Sequence, residues 1–469
     1  DAFNFGCLFE KYLITRDETV LIQLRNLMKR GAPDYEALVL DYTSAGRFEE
    51  ALAVAELAIA QPVGEQTLLH YYKSWCLIRL GKTAEAQIAI ATAEKEPADY
   101  CFPNALEAIE ALQCVVDFAG KAPKALYYLG NLWYDKRRYP TAIAAWERSS
   151  REDETFPTVW RNLSLAYFNK MNRPDEAVAL LEKAFRLDHT DARVLMELDQ
   201  LYKRLNRPHI ERLCFLEQHI DIVMTRDDLY LEYVTLLNQT GQYREAIRRI
   251  DQRKFHPWEG GEGKVPAQYQ LARLELAKEL INRKKYDDAL ALIDECYIYP
   301  THLGEGKLPG AQENDFNYYK AYILQQQGRP EEAHSLFVKA CSGNSQPAAA
   351  MYYNDQKPDK IFYQGLAYRK LGEEEKARSR FNQLITYGEE HLFDRFKMDY
   401  FAVSLPDLLI WEDDMDKKNR IHCNYLMALG HLGLGNRTKA EQFFDIAASM
   451  DNNHQGVQIH RKLMNTILS

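Results

Sequence analysis

The stretch Gly365-Leu366-Ala367-Tyr368-Arg369-Lys370-Leu371-Gly372-Glu373-Glu374-Glu375-Lys376-Ala377-Arg378-Ser379-Arg380-Phe381 decides the fold. Gly365 and Tyr368 fall on one face of a helix, because residues three apart are neighbours there. Gly372 supplies a left-handed cap that ends this helix at little cost. Ala377 and Phe381, four apart, share one face of a second helix. The stretch predicts two antiparallel helices and a tight turn, with small residues letting the axes approach to about 8–10 Å.

The same unit recurs along the chain. Anchors at Ala51, Ala86, Ala142, Ala177, Ala246, Ala289, Ala333, Ala377 and Ala440 each sit near the start of an amphipathic helix. Most follow a turn glycine: Gly46, Gly81, Gly241, Gly328, Gly372 or Gly435. Apolar residues such as Trp146, Leu181, Ile293, Phe337 and Phe444 come four positions after the anchor. Ser74, Gly130, Ala277, Ala321 and Ala428 match Gly365 in the first helix. A repeat of this kind argues for an array of stacked hairpins, not for one central core.

Read as Gly130-x-x-Trp133…Tyr139-x-x-Ala142-x-x-x-Trp146, as Trp160-x-x-Leu163-Ser164-x-x-Tyr167…Ala177, and as the stretch above, the pattern resembles the tetratricopeptide repeat. The resemblance covers most of residues 33–450. It implies an all-α, right-handed superhelical solenoid of about ten antiparallel helix hairpins.

Anchor spacing divides the array. The steps are 35, 56, 35, 69, 43, 44, 44 and 63 residues. Residues 1–30 read as a leading helix pair, and 31–253 as repeats with an extra helix near 104–119, capped by Asn104. The step of 69 hides a degenerate unit with Glu211 in the anchor position. Residues 254–385 are repeats with three long loops, at 254–267, 297–313 and 341–358. Residues 386–420 form an inserted segment with the acidic run Trp411-Glu412-Asp413-Asp414, and 421–469 the last repeat and a capping helix at 454–468.

The first two long loops carry one motif twice. Gly261-Glu262-Gly263-Lys264-Val265-Pro266 matches Gly304-Glu305-Gly306-Lys307-Leu308-Pro309. A phosphate loop is excluded: its first glycine is missing from both copies, Val265 and Leu308 follow the lysines, and no strand precedes. Three neighbouring loops longer than the repeat requires would cluster on one edge, with Pro266 opening the next helix. There Trp258, Glu262, Lys264, His302, Glu305, Lys307, Gln312, Tyr352, Tyr353 and Asp355 would form a polar pocket with aromatic walls. The alternative is that the loops pack on each other or on a neighbouring domain. Glu262 and Glu305 form a carboxylate pair, but no nucleophile elbow, His-Glu-x-x-His or Cys/His spacing accompanies them. No catalytic residue, metal site or cofactor is expected.

The second candidate surface is the concave groove that the resemblance implies, with Tyr127, Asn131, Tyr134, Tyr318, Tyr322, Gln325 and Arg369 among its residues. Asn131, Asn162 and Arg193 match part of the family's carboxylate clamp, but Tyr127 and Met196 replace its basic members. Helix packing is the competing explanation for the aromatics.

The two motif loops, with Tyr352-Tyr353-Asn354-Asp355 and Phe401–Leu409, also resemble the C-terminal repeat region of large bacterial proteins. Those proteins carry an uncharacterised β-rich, mutarotase-like N-terminal domain. The resemblance implies that this chain is the repeat half alone, with a possible carbohydrate connection.

Composition narrows the partners. Net charge is −9, from 59 Lys+Arg against 68 Asp+Glu, and no basic block stands out, so nucleic acid is a poor partner. No apolar run is long enough to span a membrane. The chain opens on Asp1 without a signal-like stretch, which reads as an excised or processed form. Its eight scattered cysteines suit reduced thiols, and a cytoplasmic location is expected. Two functions remain: a non-catalytic scaffold binding a protein partner or its own missing N-terminal domain, or an edge that binds a small polar ligand or completes that domain's active site.

The register itself is testable. Enlarging Ala289 or Ala333 to Leu should cost about 1–3 kcal/mol through overpacking. Thermal melts unchanged from wild type would show the anchors to be misplaced.

Overall fold

The computed structural model describes residues 4–28, 30–61, 64–349, 355–395 and 410–464. Every regular element among them is a helix, and the chain divides into two compact units, Asp1–Asp188 and His189–Ser469. Unit 1 opens with α1 (Phe5–Thr15) and α2 (Glu18–Leu27). It continues as hairpins α3 (Ala32–Ser44) with α4 (Phe48–Ile59) and α5 (Thr67–Arg79) with α6 (Thr83–Ala93). A single helix α7 (Glu107–Ala119) precedes hairpins α8 (Pro123–Asp135) with α9 (Tyr139–Glu152) and α10 (Pro157–Asn169) with α11 (Pro174–Leu187). The expected Asn104 cap is not used: α7 starts at Glu107, with Leu106 in the cap position.

Unit 2 begins with α12 (Ala192–Arg204), α13 (His209–Gln218) and the short α14 (Ile220–Val223). Hairpins follow as α15 (Asp227–Gln239) with α16 (Tyr243–Asp251), α17 (Lys264–Asn282) with α18 (Tyr286–Cys296), and α19 (Asn314–Gln326) with α20 (Pro330–Ala340). The last are α21 (Pro358–Lys370) with α22 (Glu374–His391) and α23 (Met415–Gly433) with α24 (Arg437–Met450), before a final α25 (Gln455–Leu463).

All nine alanine anchors are buried. Two hairpins show why small residues face them. A Cβ added to Gly130 would lie 2.2 Å from Trp146 Nε1, and one on Gly365 would lie 2.4 Å from the Phe381 ring. In both, a ring of the second helix fills a notch in the first. The turns repeat as well. Gly372 has φ 80°, and the next N–H, of Glu373, reaches Tyr368 O at 2.9 Å. Where glycine is missing, Arg137, Asn172, Asn206 and Lys284 take the same left-handed conformation, with φ between 52° and 58°. That conformation costs an L residue about 1–2 kcal/mol. Hairpin packing therefore overrides local preference.

The degenerate hairpin departs from this rule. Glu211, in the anchor position, is exposed, and α13 buries Arg212 instead. The Arg212 guanidinium pairs with Asp199 through Nε at 3.0 Å and Nη2 at 2.6 Å. Nη2 also reaches Glu232 at 2.8 Å, and Nη1 donates to Asn453 Oδ1 at 2.7 Å. Burial penalises the Glu232 carboxylate, but Lys203 and Arg212 outweigh it and hold its pKa down at about 2.

Asn453 precedes α25, so this cluster ties the last loop of unit 2 to its first hairpin. Neighbouring bonds repeat the link. Asn206 Nδ2 donates to Met450 O at 3.2 Å, and Arg204 pairs with Asp413 at 2.6 Å. Buried Trp411 donates from Nε1 to Glu197 O at 3.1 Å. Unit 2 thus closes on itself, and the expected acidic insertion is part of the closure. Residues 396–409 of the expected insertion lie outside the described residues.

Closure carries α25 onto the inner face of the unit. Val457 and His460 are buried, and the His460 ring lies 5.6 Å from Phe362, 5.8 Å from Tyr363 and 5.9 Å from Tyr425. Ile459, Lys462 and Leu463 line a narrow cleft of about 210 Å³ with Tyr318, Tyr322 and Leu366.

Two outcomes follow from this architecture. Arg212→Met strands buried Asp199 and leaves Glu232 to Lys203 alone, and should cost about 3–5 kcal/mol. Equilibrium denaturation measures it, and a loss below 1 kcal/mol on that scale would remove Arg212 from its central place. The second concerns pH. Burial, with Lys278 nearby, pushes His460 down to about 4 from its ordinary 6.5. The unfolded chain therefore takes up the proton first, and stability is lost as pH falls from about 6.5 toward 4. Lowering pH from 7 to 5 should cost about 2 kcal/mol through this group. His460→Gln should lose this share and leave at least an equal one from His422, which burial likewise holds at about 4. Identical pH dependence in both proteins would contradict the assignment.

Candidate functional site

The duplicated loops come together by backbone and side-chain bonds. Phe255 N–H donates to His302 O at 2.8 Å, and a Cβ on Gly304 would lie 2.7 Å from Phe255 O. Gly304 also has φ 78°, so both its conformation and its crowding select glycine. Gly263 N–H then donates to Glu305 Oε2 at 2.7 Å. The second copy of the motif thereby caps the helix that the first copy starts. That helix begins at Lys264, so Pro266 sits within its first turn and does not open it.

The third loop joins through Gln312. Its Nε2 donates to Asp355 O at 3.3 Å, and its Oε1 accepts the Lys357 N–H at 3.1 Å. Loops 254–267 and 297–313 and the end of the third, at 355–358, thus form one bonded edge of unit 2. Among the described residues they do not close over each other. Beneath them lies a chamber of about 680 Å³, partly open to solvent.

Four of the expected pocket residues line this chamber: Glu262, Glu305, Gln312 and Asp355. Trp258 is directed elsewhere, covering its own loop, where a Cβ on Gly261 would lie 2.3 Å from the indole. Lys264 is exposed and outside the lining, as is Lys307, which donates to Tyr297 O at 3.0 Å and pairs with Glu313. The His302 ring packs toward Tyr269 at 6.4 Å. Tyr352 and Tyr353 lie outside the described residues. The aromatic wall is instead Tyr299, Phe316 and Tyr363.

The floor was not expected from the sequence. Lys278 pairs with Glu275 at 2.5 Å, and Lys360 with Asp315 Oδ2 at 2.6 Å, all in the chamber lining. Tyr363 Oη meets Tyr319 Oη at 3.2 Å, and His460 of α25 completes the floor. A polar residue at a first-helix position that ought to be apolar is the one signal that could have found Asp315 and Lys360. At the mouth Glu262 is the charged neighbour of Glu305, and Lys264 lies within charge range of Glu262. Burial, with the Glu262 charge adding, raises the Glu305 carboxyl above its ordinary range despite the Gly263 N–H.

Most of the expected groove residues make packing contacts or internal hydrogen bonds. In unit 1, Tyr127 is buried edge-on to Phe156 at 4.9 Å, and Asn131 Oδ1 accepts Trp146 Nε1 at 3.2 Å and Asn162 Nδ2 at 3.0 Å. Tyr134 lies 4.9 Å from Tyr139. In unit 2, Tyr318 is buried and Tyr322 half-buried beside α25, Gln325 is exposed, and Arg369 donates to Gly433 O at 2.8 Å. Among the described residues there is no cluster of metal-ligating side chains and no helix long and apolar enough to cross a membrane. All eight cysteines are free.

Among solved structures, the chain is similar to MamA from Desulfovibrio magneticus RS-1 at 16% identity, over 42% of this chain and 97% of that one, with a TM-score of 0.25. It is similar to the human IFIT1 dimer at 12% identity, over 96% and 95%, with a TM-score of 0.29. A tetratricopeptide repeat protein from Parabacteroides merdae matches at 14% identity, over 71% and 98%, with a TM-score of 0.20. Two family models, each described as tetratricopeptide repeat, match residues 102–157, which span α7 to α9, and 361–387, in α21 and α22. The chain carries tetratricopeptide repeats.

Proposed function

We propose that this protein is a non-catalytic tetratricopeptide-repeat scaffold, and that the long-loop edge of unit 2 is where it holds a small polar ligand. The observation that carries the reading is the chamber. Three loops bonded to one another would be expected to pack shut, yet they roof about 680 Å³ lined by charged and aromatic side chains. That volume falls in the range of small-molecule sites. Glu305 is already engaged by Gly263 N–H, a positioning bond that suits recognition better than proton transfer.

A second reading keeps the edge for protein contact, with a partner or the N-terminal domain inferred from the resemblance. What favours it is that unit 2 already holds a helix, α25, on its inner face, so the repeat surface suits amphipathic helices.

Thermal shift and calorimetry against glycans, amines and peptides test the proposal. A true ligand at a hundred times its Kd should stabilise the protein by about 2.7 kcal/mol. Glu305→Gln keeps the Gly263 acceptor but removes the charge, and should weaken binding about tenfold. Wild-type behaviour of this variant toward every ligand and protein partner would end the chamber reading.

A further inference from the structure

The chamber carries a surplus of acceptors and negative charge that its own residues do not meet. Seven carboxylates and three lysines line it. Lys278 pairs with Glu275 and Lys360 with Asp315 and Asp359, Lys357 lies within charge range of Asp355 and Asp359, and Glu313 pairs with Lys307, which leaves Glu262 and Glu305 at the mouth. At the mouth, Glu305 uses Oε2 for Gly263 N–H and has Glu262, not a cation, as its charged neighbour.

The floor shows the same imbalance. Asp315 is 5% exposed, and its Oδ1 has no hydrogen-bond partner. His460 is 3% exposed, and its Nε2 has none either. The protonation of His460 follows from its other nitrogen. Nδ1 lies 2.8 Å from Gly456 O, and a carbonyl only accepts, so Nδ1 carries the proton and Tyr425 Oη, 3.1 Å away, accepts a share of it. Nε2 is then a bare lone pair. Both unpartnered atoms are acceptors, and buried acceptors left unpaired are costly.

A ligand that relieves both ends must bring hydrogen-bond donors and positive charge. A neutral polyol supplies only the first. We infer that the chamber of unit 2 binds a small primary amine, its ammonium held at the Glu262 and Glu305 mouth and a second donor group directed toward the Asp315 and His460 floor. This rests on the chamber being a ligand site, and goes further by fixing the ligand's charge.

Isothermal calorimetry on the whole chain with matched pairs decides it: cadaverine against 1,5-pentanediol, and glucosamine against glucose. The amine of each pair should bind and the neutral member should not, with affinity falling as salt rises. Glu262→Gln with Glu305→Gln, both on the loops, should weaken the amine about tenfold. Asp315→Asn is the riskier variant, because it leaves Lys360 buried without its charge partner. Equal binding of neutral and amine members overturns the inference while leaving the chamber as a ligand site. So does an amine that binds wild type and the double variant alike, which would mark general attraction to an acidic surface. If amines and every other ligand class fail to bind, the chamber reading falls with it.

Discussion

A single buried guanidinium holds unit 2 in shape. Arg212 spends each nitrogen on a different acceptor: Nε on Asp199, Nη2 on Asp199 and Glu232, Nη1 on Asn453. Lysine cannot do this, because its ammonium lacks the planar fork. A charge this deep is tolerated only when fully paired. Its acceptors come from the first hairpin, the second, and the loop before the last helix. The array cannot uncurl without exposing the ion cluster or breaking it. Asn453 also fixes where the chain turns inward. Gln455, two residues on, exchanges bonds with Gln268 of α17 at 2.8 Å and 3.0 Å, and α25 then runs across the inner face.

The loop edge is the second consequence of curvature. Loops lengthened by about ten residues over the roughly 34-residue repeat have room to rise on the edge of a curved stack. They join by a relay in which each loop caps or clamps its neighbour: Glu305 on Gly263, then Gln312 on Asp355 and Lys357. The duplicated motif is therefore used asymmetrically. Glu305 reaches the preceding loop, whereas Glu262 is the first of its kind and has no earlier copy to cap. One glutamate fixes the edge, and the other is left facing the chamber mouth. Sequence identity between the two copies does not carry identity of role.

The hairpins were legible because close helix approach demands a small residue at a fixed spacing, and such demands survive in a single sequence. Gly130 opposite Trp146 and Gly365 opposite Phe381 are examples. Turns without glycine were half-legible, since Lys284 and Arg137 look ordinary and take their conformation from packing. Arg212 was invisible for a different reason. It pairs with Asn453 across 241 residues, and no local pattern records that distance. The mouth of the chamber was readable from the repeated loops, because local glycines and a period gave it away. Its floor was not, because Asp315, Lys360 and His460 meet only after the unit has closed. Trp258 misled for a simpler reason: an aromatic beside a glycine can cover that glycine as readily as face a ligand.

His460 connects these features. It belongs to the packing of α25 against Phe362, Tyr363 and Tyr425, and it also lines the chamber. Anything that changes its ring position or protonation acts on the seated helix and on the chamber floor together. Under the proposed reading, the seating of α25 and the occupancy of the chamber are linked through one side chain, and such linkage runs in both directions. A group bound on the floor would by that reading steady α25, and a seated α25 completes the floor. The C-terminal helix is a structural part of the candidate site, not only the end cap of a repeat array. The chamber is a property of the closed unit, which no single repeat could possess.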